Sequence, residues 1–339
     1  MGGAPSGGFG GSSEVTQGDS ANTISENGTY TDTTYTSTGD DENALRIDGA
    51  DVTLDGITVD KSAGATSNTE NGDFYGVNAA LLATNGADVT ITNARVTSSA
   101  QNGNGVFSYG SGTTVNISNS VITTTANNSE ALVIEGKNSI VLENCDVTGN
   151  MSDTKGSSSE ENVHNVMIYQ SMSGDADVGT STFSMTGGTL TARNGDMIYV
   201  TNTHCVLTLS GVTLKNEDAD GVLLRVVGNS ASHGWGTAGS NGAQVAFTAD
   251  GQVLTGDIVV DTISTLDMTL TNGSTFTGTI SIIDNAQGGT AVSDNAVVTI
   301  DSGCTWTLTG NCTLTSLTNN GTINFNGYTI TLADGTVLQ

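Results

Sequence analysis

The stretch CTWTLTGNCTLTSLTNNGTINFNGYTITL, residues 304–332, decides the fold. Its bulky apolar side chains come in alternating pairs, Trp306 with Leu308, Cys312 with Leu314, Ile323 with Phe325 and Ile330 with Leu332, separated by Thr, Asn, Ser and Gly. Alternation with period two sends one set of side chains inward and the polar set outward, the pattern of a strand. Each run is too short for a hairpin sandwich but long enough for one face of a solenoid coil.

The same grammar repeats upstream in two halves. The first is a short apolar run: ALRI (44–47), ALLA (80–83), GVFS (105–108), ALVI (131–134), VMIY (166–169), MIYV (197–200) and VLLRVV (222–227). The second is strand, tight turn and strand: VTLDGITV (52–59), VTITNARVT (89–97), VNISNSVIT (115–123), IVLENCDVT (140–148), FSMTGGTLT (183–191) and LTLSGVTLK (207–215). The halves alternate in one order, which is internal repetition. Second halves start at Val52, Val89, Val115, Ile140, Phe183 and Leu207, so the spacings are 37, 26, 25, 43 and 24 residues. The short spacings approximate a bare three-strand coil, and the excess must leave as loops. Asn93, Asn119 and Asn144 alternate with Gly56, Gly187 and Gly211 at one turn position, which predicts left-handed backbone there.

The fold class that follows is all-β: a right-handed, single-stranded parallel β-helix with about three short strands per coil, the hand being set by strand twist. Residues 1–20 read as a flexible Gly/Ser-rich segment and 21–43 as an N-terminal cap. Residues 44–339 read as the β-helix, with a change of cross-section after about residue 245, where the strands lengthen.

Composition agrees. One proline and 45 glycines favour strands joined by tight turns. Thirty-five acidic residues against eight basic ones give a net charge of −27, and no Lys or Arg follows Arg225. Nucleic acid and anionic membrane surfaces need a basic footprint and are disfavoured as partners. No hydrophobic run reaches membrane-spanning length, so direct membrane insertion is not expected. Cys145, Cys205, Cys304 and Cys312 form no C-x-x-C unit. Cys304 and Cys312 either pair or serve as two small core residues.

The coil pattern of residues 44–332 resembles the right-handed parallel β-helix superfamily that includes pectate-lyase-like proteins. The run WTLTGNCTLTSLTNNGTINF (306–325) is similar to a recurrent coil of autotransporter passengers and adhesin-like proteins. These resemblances imply an exported, surface-displayed stalk or adhesin. Low Lys content and Thr/Asn/Gly richness point the same way, to an extracellular or bacterial cell-surface location.

Candidate sites follow from departures from the repeat. The loop GNSASHGWGTAGSNG (228–242) sets His233 and Trp235 among small residues just after Arg225. Trp235 could stack on a sugar ring with His233 orienting a hydroxyl, or could cover the apolar edge of a coil. Trp306, in phase with Leu308, reads as core. NEDADG (216–221) places Asn216, Asp218 and Asp220 as in the first half of an EF-hand loop, which would admit calcium as the one cofactor. Its twelfth position is Val227 where a bidentate Glu is needed, so a plain solvated turn competes. SGDAD (173–177) and TGDDEN (38–43) carry the same pair of readings.

The S-H-G at 232–234 is similar to the G-H-G element of pectin-hydrolysing β-helix enzymes. Their paired carboxylates have no counterpart nearby, since Asp40 and Asp41 lie far upstream. Pectate-lyase chemistry needs clustered basic residues, and the eight here are scattered. NTENGDF (68–74) and SDTKGSSSEEN (152–162) account for the two longest spacings and should form the variable face at one corner. His164 and His204 read as ordinary strand or turn residues. Thr-x-Thr runs invite an ice-binding reading, against which the irregular coil spacing argues.

These residues predict a non-enzymatic adhesin-like protein that recognises a glycan, or a host or neighbouring cell surface, through corner loops. A carbohydrate-active enzyme on the same fold and a structural spacer are the alternatives.

Overall fold

The computed structural model describes residues 16–110, 112–153, 163–171, 178–228 and 239–339. Parallel strands stack into three long ladders, the arrangement of a parallel β-helix. Sheet 1 holds eleven strands, from Gly28–Thr31 to Ser316–Asn319. Sheet 2 holds seven, from Thr34–Ser37 to Thr213–Asn216, and sheet 3 holds ten, from Thr23–Ile24 to Ile280–Ile283. The chain visits them in the order 1, 2, 3 in each coil. From Val253 the second side is a separate ladder of three-residue strands, Val253–Thr255, Thr275–Thr277, Thr305–Thr307 and Thr322–Asn324. At the C-terminal end Ile330–Leu332 pairs antiparallel with Val337–Leu338, which turns the edge back on itself.

The register is the one the sequence predicts. Val52, Val89, Val115, Ile140, Phe183 and Leu207 are direct neighbours in sheet 1 despite spacings of 24 to 43 residues. One continuous interior of buried Val, Ile, Leu, Phe and Met runs from Ile24 to Ile330. A one-residue slip would turn every such side chain to solvent, so the pattern pins the register. Irregular spacing is therefore no obstacle to a regular outer row. Thr53, Thr90, Asn116, Val141, Ser184, Thr208, Thr248, Thr269 and Thr299 form one row on sheet 1, and what breaks its regularity is Asn116, Val141 and Ser184, not the spacing.

The turn from sheet 1 to sheet 2 needs one left-handed residue per coil. Asn93, Asn119 and Asn144 have φ of 55°, 50° and 51°, and Gly56, Gly187 and Gly211 have 65°, 63° and 60°. Asn tolerates this region better than other non-glycine residues because its short amide bonds locally. Asn119→Ala is therefore expected to lower stability by about 1 kcal/mol and Asn119→Gly to leave it nearly unchanged, read from urea denaturation midpoints.

The four cysteines are all free and buried, so Cys304 and Cys312 take the core reading. Trp306 is likewise buried. The insertions at 68–74 and 152–162 share one corner, as expected, and a second corner carries loops as well. The insertion with the helix Thr69–Tyr75 and the one at 150–163 leave between sheets 2 and 3, whereas 170–179, 228–243 and 284–295 leave between sheets 3 and 1. Both corners border sheet 3. Its middle strands, from Leu81–Thr84 to Asp196–Thr201, are buried on both faces, and the helix packs over an outer cluster of Phe107, Tyr109, Met167, Tyr169 and Tyr199. No helix among the described residues is long and apolar enough to cross a membrane.

Candidate functional site

The corner where sheet 3 runs into sheet 1 brings an open groove and a buried polar row together. The chain passes from sheet 3 to sheet 1 there on four consecutive coils, between residues 169 and 180, 201 and 204, 227 and 244, and 261 and 265. On the sheet 1 side, Thr180, His204, Gln244 and Thr265 stand side by side on four successive coils. In the next outward row Ala246 sits between Val206 and Asp267. The short alanine side chain between two longer ones leaves a dip, and Thr180, His204, Val206, Gln244, Thr265 and Asp267 surround an open groove of about 260 Å³. His204, Gln244 and Asp267 are exposed, and Val206 keeps 42% of its surface in solvent. The groove thus offers a few hydrogen-bonding groups around a small apolar floor, the make-up of a small-molecule site.

On the sheet 3 side of the same turns lies a buried polar row. Tyr169 neighbours Thr201, Thr201 neighbours Val227, and the pairing of Val226 with Val260 sets Val227 beside Asp261. Four buried polar atoms in or next to this row have no hydrogen-bond partner: Gln170 Oε1, Thr201 Oγ1, Asn241 Nδ2 and Asp261 Oδ1. Their neighbours are well tied. The Asn202 N–H donates to the Asn241 carbonyl at 3.1 Å, and Asn202 Nδ2 donates to the Gln170 carbonyl at 2.7 Å. Asp261 Oδ2 accepts from the Gly228 N–H at 2.9 Å and from Asn285 Nδ2 at 2.7 Å. Unsatisfied buried polar groups are rare in folded proteins, and these four lie at the turns that border the groove.

The sequence-predicted residues fall differently. His233 and Trp235 lie outside the described residues, but the segment carrying them leaves from Gly228 and returns to Gln244, both at this corner. Arg225 spends two of its donors on Asp196, Nε to Oδ2 at 2.5 Å and Nη2 to Oδ1 at 3.3 Å. Asn216, Asp218 and Asp220 sit at the opposite edge of sheet 3. There Asn216 Oδ1 accepts from the Asp218 N–H, and Asp218 accepts from the N–H groups of Gly195 and Asp220, which hold its carboxyl below the usual range. Oxygens that calcium would use are thus engaged by the backbone, and the described residues include no group of three or more His, Cys, Asp or Glu placed to hold a metal ion. The 173–177 run lies outside the described residues. Asp40 and Asp41 accept from the N–H groups of Ala65 and Ser67, tying down the start of the helical insertion.

His164 is a strand residue, as expected, but one with close polar and aromatic neighbours. It is fully buried on the outer face of sheet 3, its Nε2 lies 3.1 Å from Glu130 Oε1, and its ring stacks on Tyr199 at 4.8 Å. In register beside it is Asp196. The signal that could have revealed this two-sided burial is the unbroken apolar character of ALVI, VMIY and MIYV, where one-sided strands alternate.

Comparison of the chain with protein-family models, curated proteins and solved structures finds no match.

Proposed function

We propose that this chain is a non-enzymatic recognition protein of the secreted or bacterial cell-surface, adhesin-like kind, and that it binds a saccharide in the groove between His204 and Asp267. The observation that carries this reading is the groove itself: hydrogen-bonding groups on Thr180, His204, Gln244 and Thr265 around the apolar Val206 and Ala246. Sugars present hydroxyls on their edges and C–H groups on their faces, and both find counterparts there. A net charge of −27 keeps polyanions away without obstructing neutral or cationic sugars. Trp235 and His233, carried between Gly228 and Gln244, would contribute the stacking ring and a further hydrogen bond.

Ala246 points outward and is exposed, so a larger side chain there fills the groove without touching the core. Ala246→Tyr is expected to weaken binding on a glycan panel by about tenfold or more with an unchanged melting temperature. Undiminished binding by Ala246→Tyr would remove the groove from the account. Robust release of reducing ends or unsaturated products from any polysaccharide would replace the adhesin reading with the carbohydrate-active enzyme. Absence of any saturable ligand would favour the spacer.

A further inference from the structure

The buried row behind the groove has a chemical bias that narrows the ligand. Among its four unpartnered atoms, Gln170 Oε1 and Asp261 Oδ1 can only accept, Thr201 Oγ1 can do either, and Asn241 Nδ2 can only donate. Acceptors therefore exceed donors. One of those acceptors belongs to a carboxylate that is 1% exposed. Its described donors, the Gly228 N–H and the Asn285 amide, are neutral, and no Lys or Arg occurs after Arg225. A buried carboxylate is best stabilised by a charged donor.

The spacing also matters. Gln170 to Asp261 covers three coil steps, about 14 Å along the axis at the usual strand separation, the length of a short oligosaccharide. Thr180, His204, Gln244 and Thr265 cover the same three steps on the other side of the corner.

We infer that the corner takes an amine-bearing oligosaccharide laid along the solenoid axis, with an ammonium group at Asp261 Oδ1 and hydroxyls at Thr201 and Gln170. This rests on the glycan reading above and gives it a ligand class. Uronate sugars are disfavoured, because they add acceptors to a row short of donors and bring negative charge to an acidic chain. The row is covered, so a ligand in the groove reaches it when the turn at 239–242 parts from the segment it packs against, where Gly239 meets Gly288 and Gly289.

The test is calorimetric titration of the intact chain with a glucosamine trisaccharide, maltotriose and trigalacturonate, with Asp261→Asn and Thr201→Val alongside. The wild-type chain is expected to bind the amine trimer about tenfold or more tighter than maltotriose, and trigalacturonate not at all. Asp261→Asn should erase the preference for the amine, and Thr201→Val should weaken both ligands. Equal wild-type affinity for the amine and neutral trimers overturns the inference and leaves the glycan reading standing. A preference that survives in Asp261→Asn overturns it too, and assigns the unpartnered atoms to ordered water only. Binding to no saccharide at all removes both. If Asp261→Asn fails to fold by circular dichroism, the wild-type comparison of the three trimers still decides.

Discussion

Trp306→Ala is expected to lower the stability of the C-terminal coils by about 3–5 kcal/mol, the range for emptying a buried aromatic site. Trp306 has no exposed surface, stacks on Phe276 of the preceding coil at 5.4 Å, and neighbours Ile323 in the next. Its Nε1 donates to the Gly278 carbonyl at 3.0 Å. Alanine therefore removes the packing of two coil interfaces and strands a buried carbonyl. Stability in a solenoid is a sum over neighbouring repeats, so the loss should appear as early opening of residues 296–338 ahead of the rest. Hydrogen exchange resolved by segment, with urea denaturation followed by circular dichroism, checks this. Trp306→Phe should retain most of the packing and lose about 1 kcal/mol with the hydrogen bond. Uniform loss along the whole chain would mean the coils melt as one unit.

The second large effect is on pH dependence. Glu135 is fully buried on the outer side of sheet 3, with Tyr169 beside it in register on the next coil. Its carboxyl accepts from the N–H groups of Gly110 and Ser171, yet burial outweighs these bonds and pushes its pKa up to about 8. The folded chain thus holds a proton that the unfolded chain releases near the ordinary Glu value. The contribution is fully present below about pH 4.5 and is lost as pH rises through 8, at about 1.4 kcal/mol per pH unit. Between pH 5 and 8 the wild-type chain should lose on the order of 3 kcal/mol from this group. Glu135→Gln should flatten that slope, being somewhat less stable at the acid end for want of one acceptor and more stable at the alkaline end. Denaturation midpoints across this window read the difference, and equal slopes for the two proteins would contradict it.

Much of the fold was legible because it depends on period-two alternation and a few special turn positions. Asn93, Asn119 and Asn144 announce the left-handed turn, and Val52, Val89 and Val115 announce the register, in residues that are local in sequence. The corner site was legible only through the 228–242 insertion. Gln170, Thr201 and Asp261 belong to three different coils and form no motif; stacking alone brings them together. The same holds for Glu130 and His164, a side-chain contact across 34 residues. A polar residue at the end of an apolar run looks like a boundary in sequence, and its burial is decided by neighbours from other coils.

The central claim is that the corner between sheets 3 and 1 is the recognition surface. Hydrogen exchange of the intact chain, with and without a saturating saccharide, tests it most directly. The account predicts slowed exchange confined to 168–182, 199–208, 228–247 and 261–267, with 213–221 and the Thr69–Tyr75 helix unchanged. Protection centred on the 216–220 turn or on the helix, with none at His204 and Gln244, would contradict it.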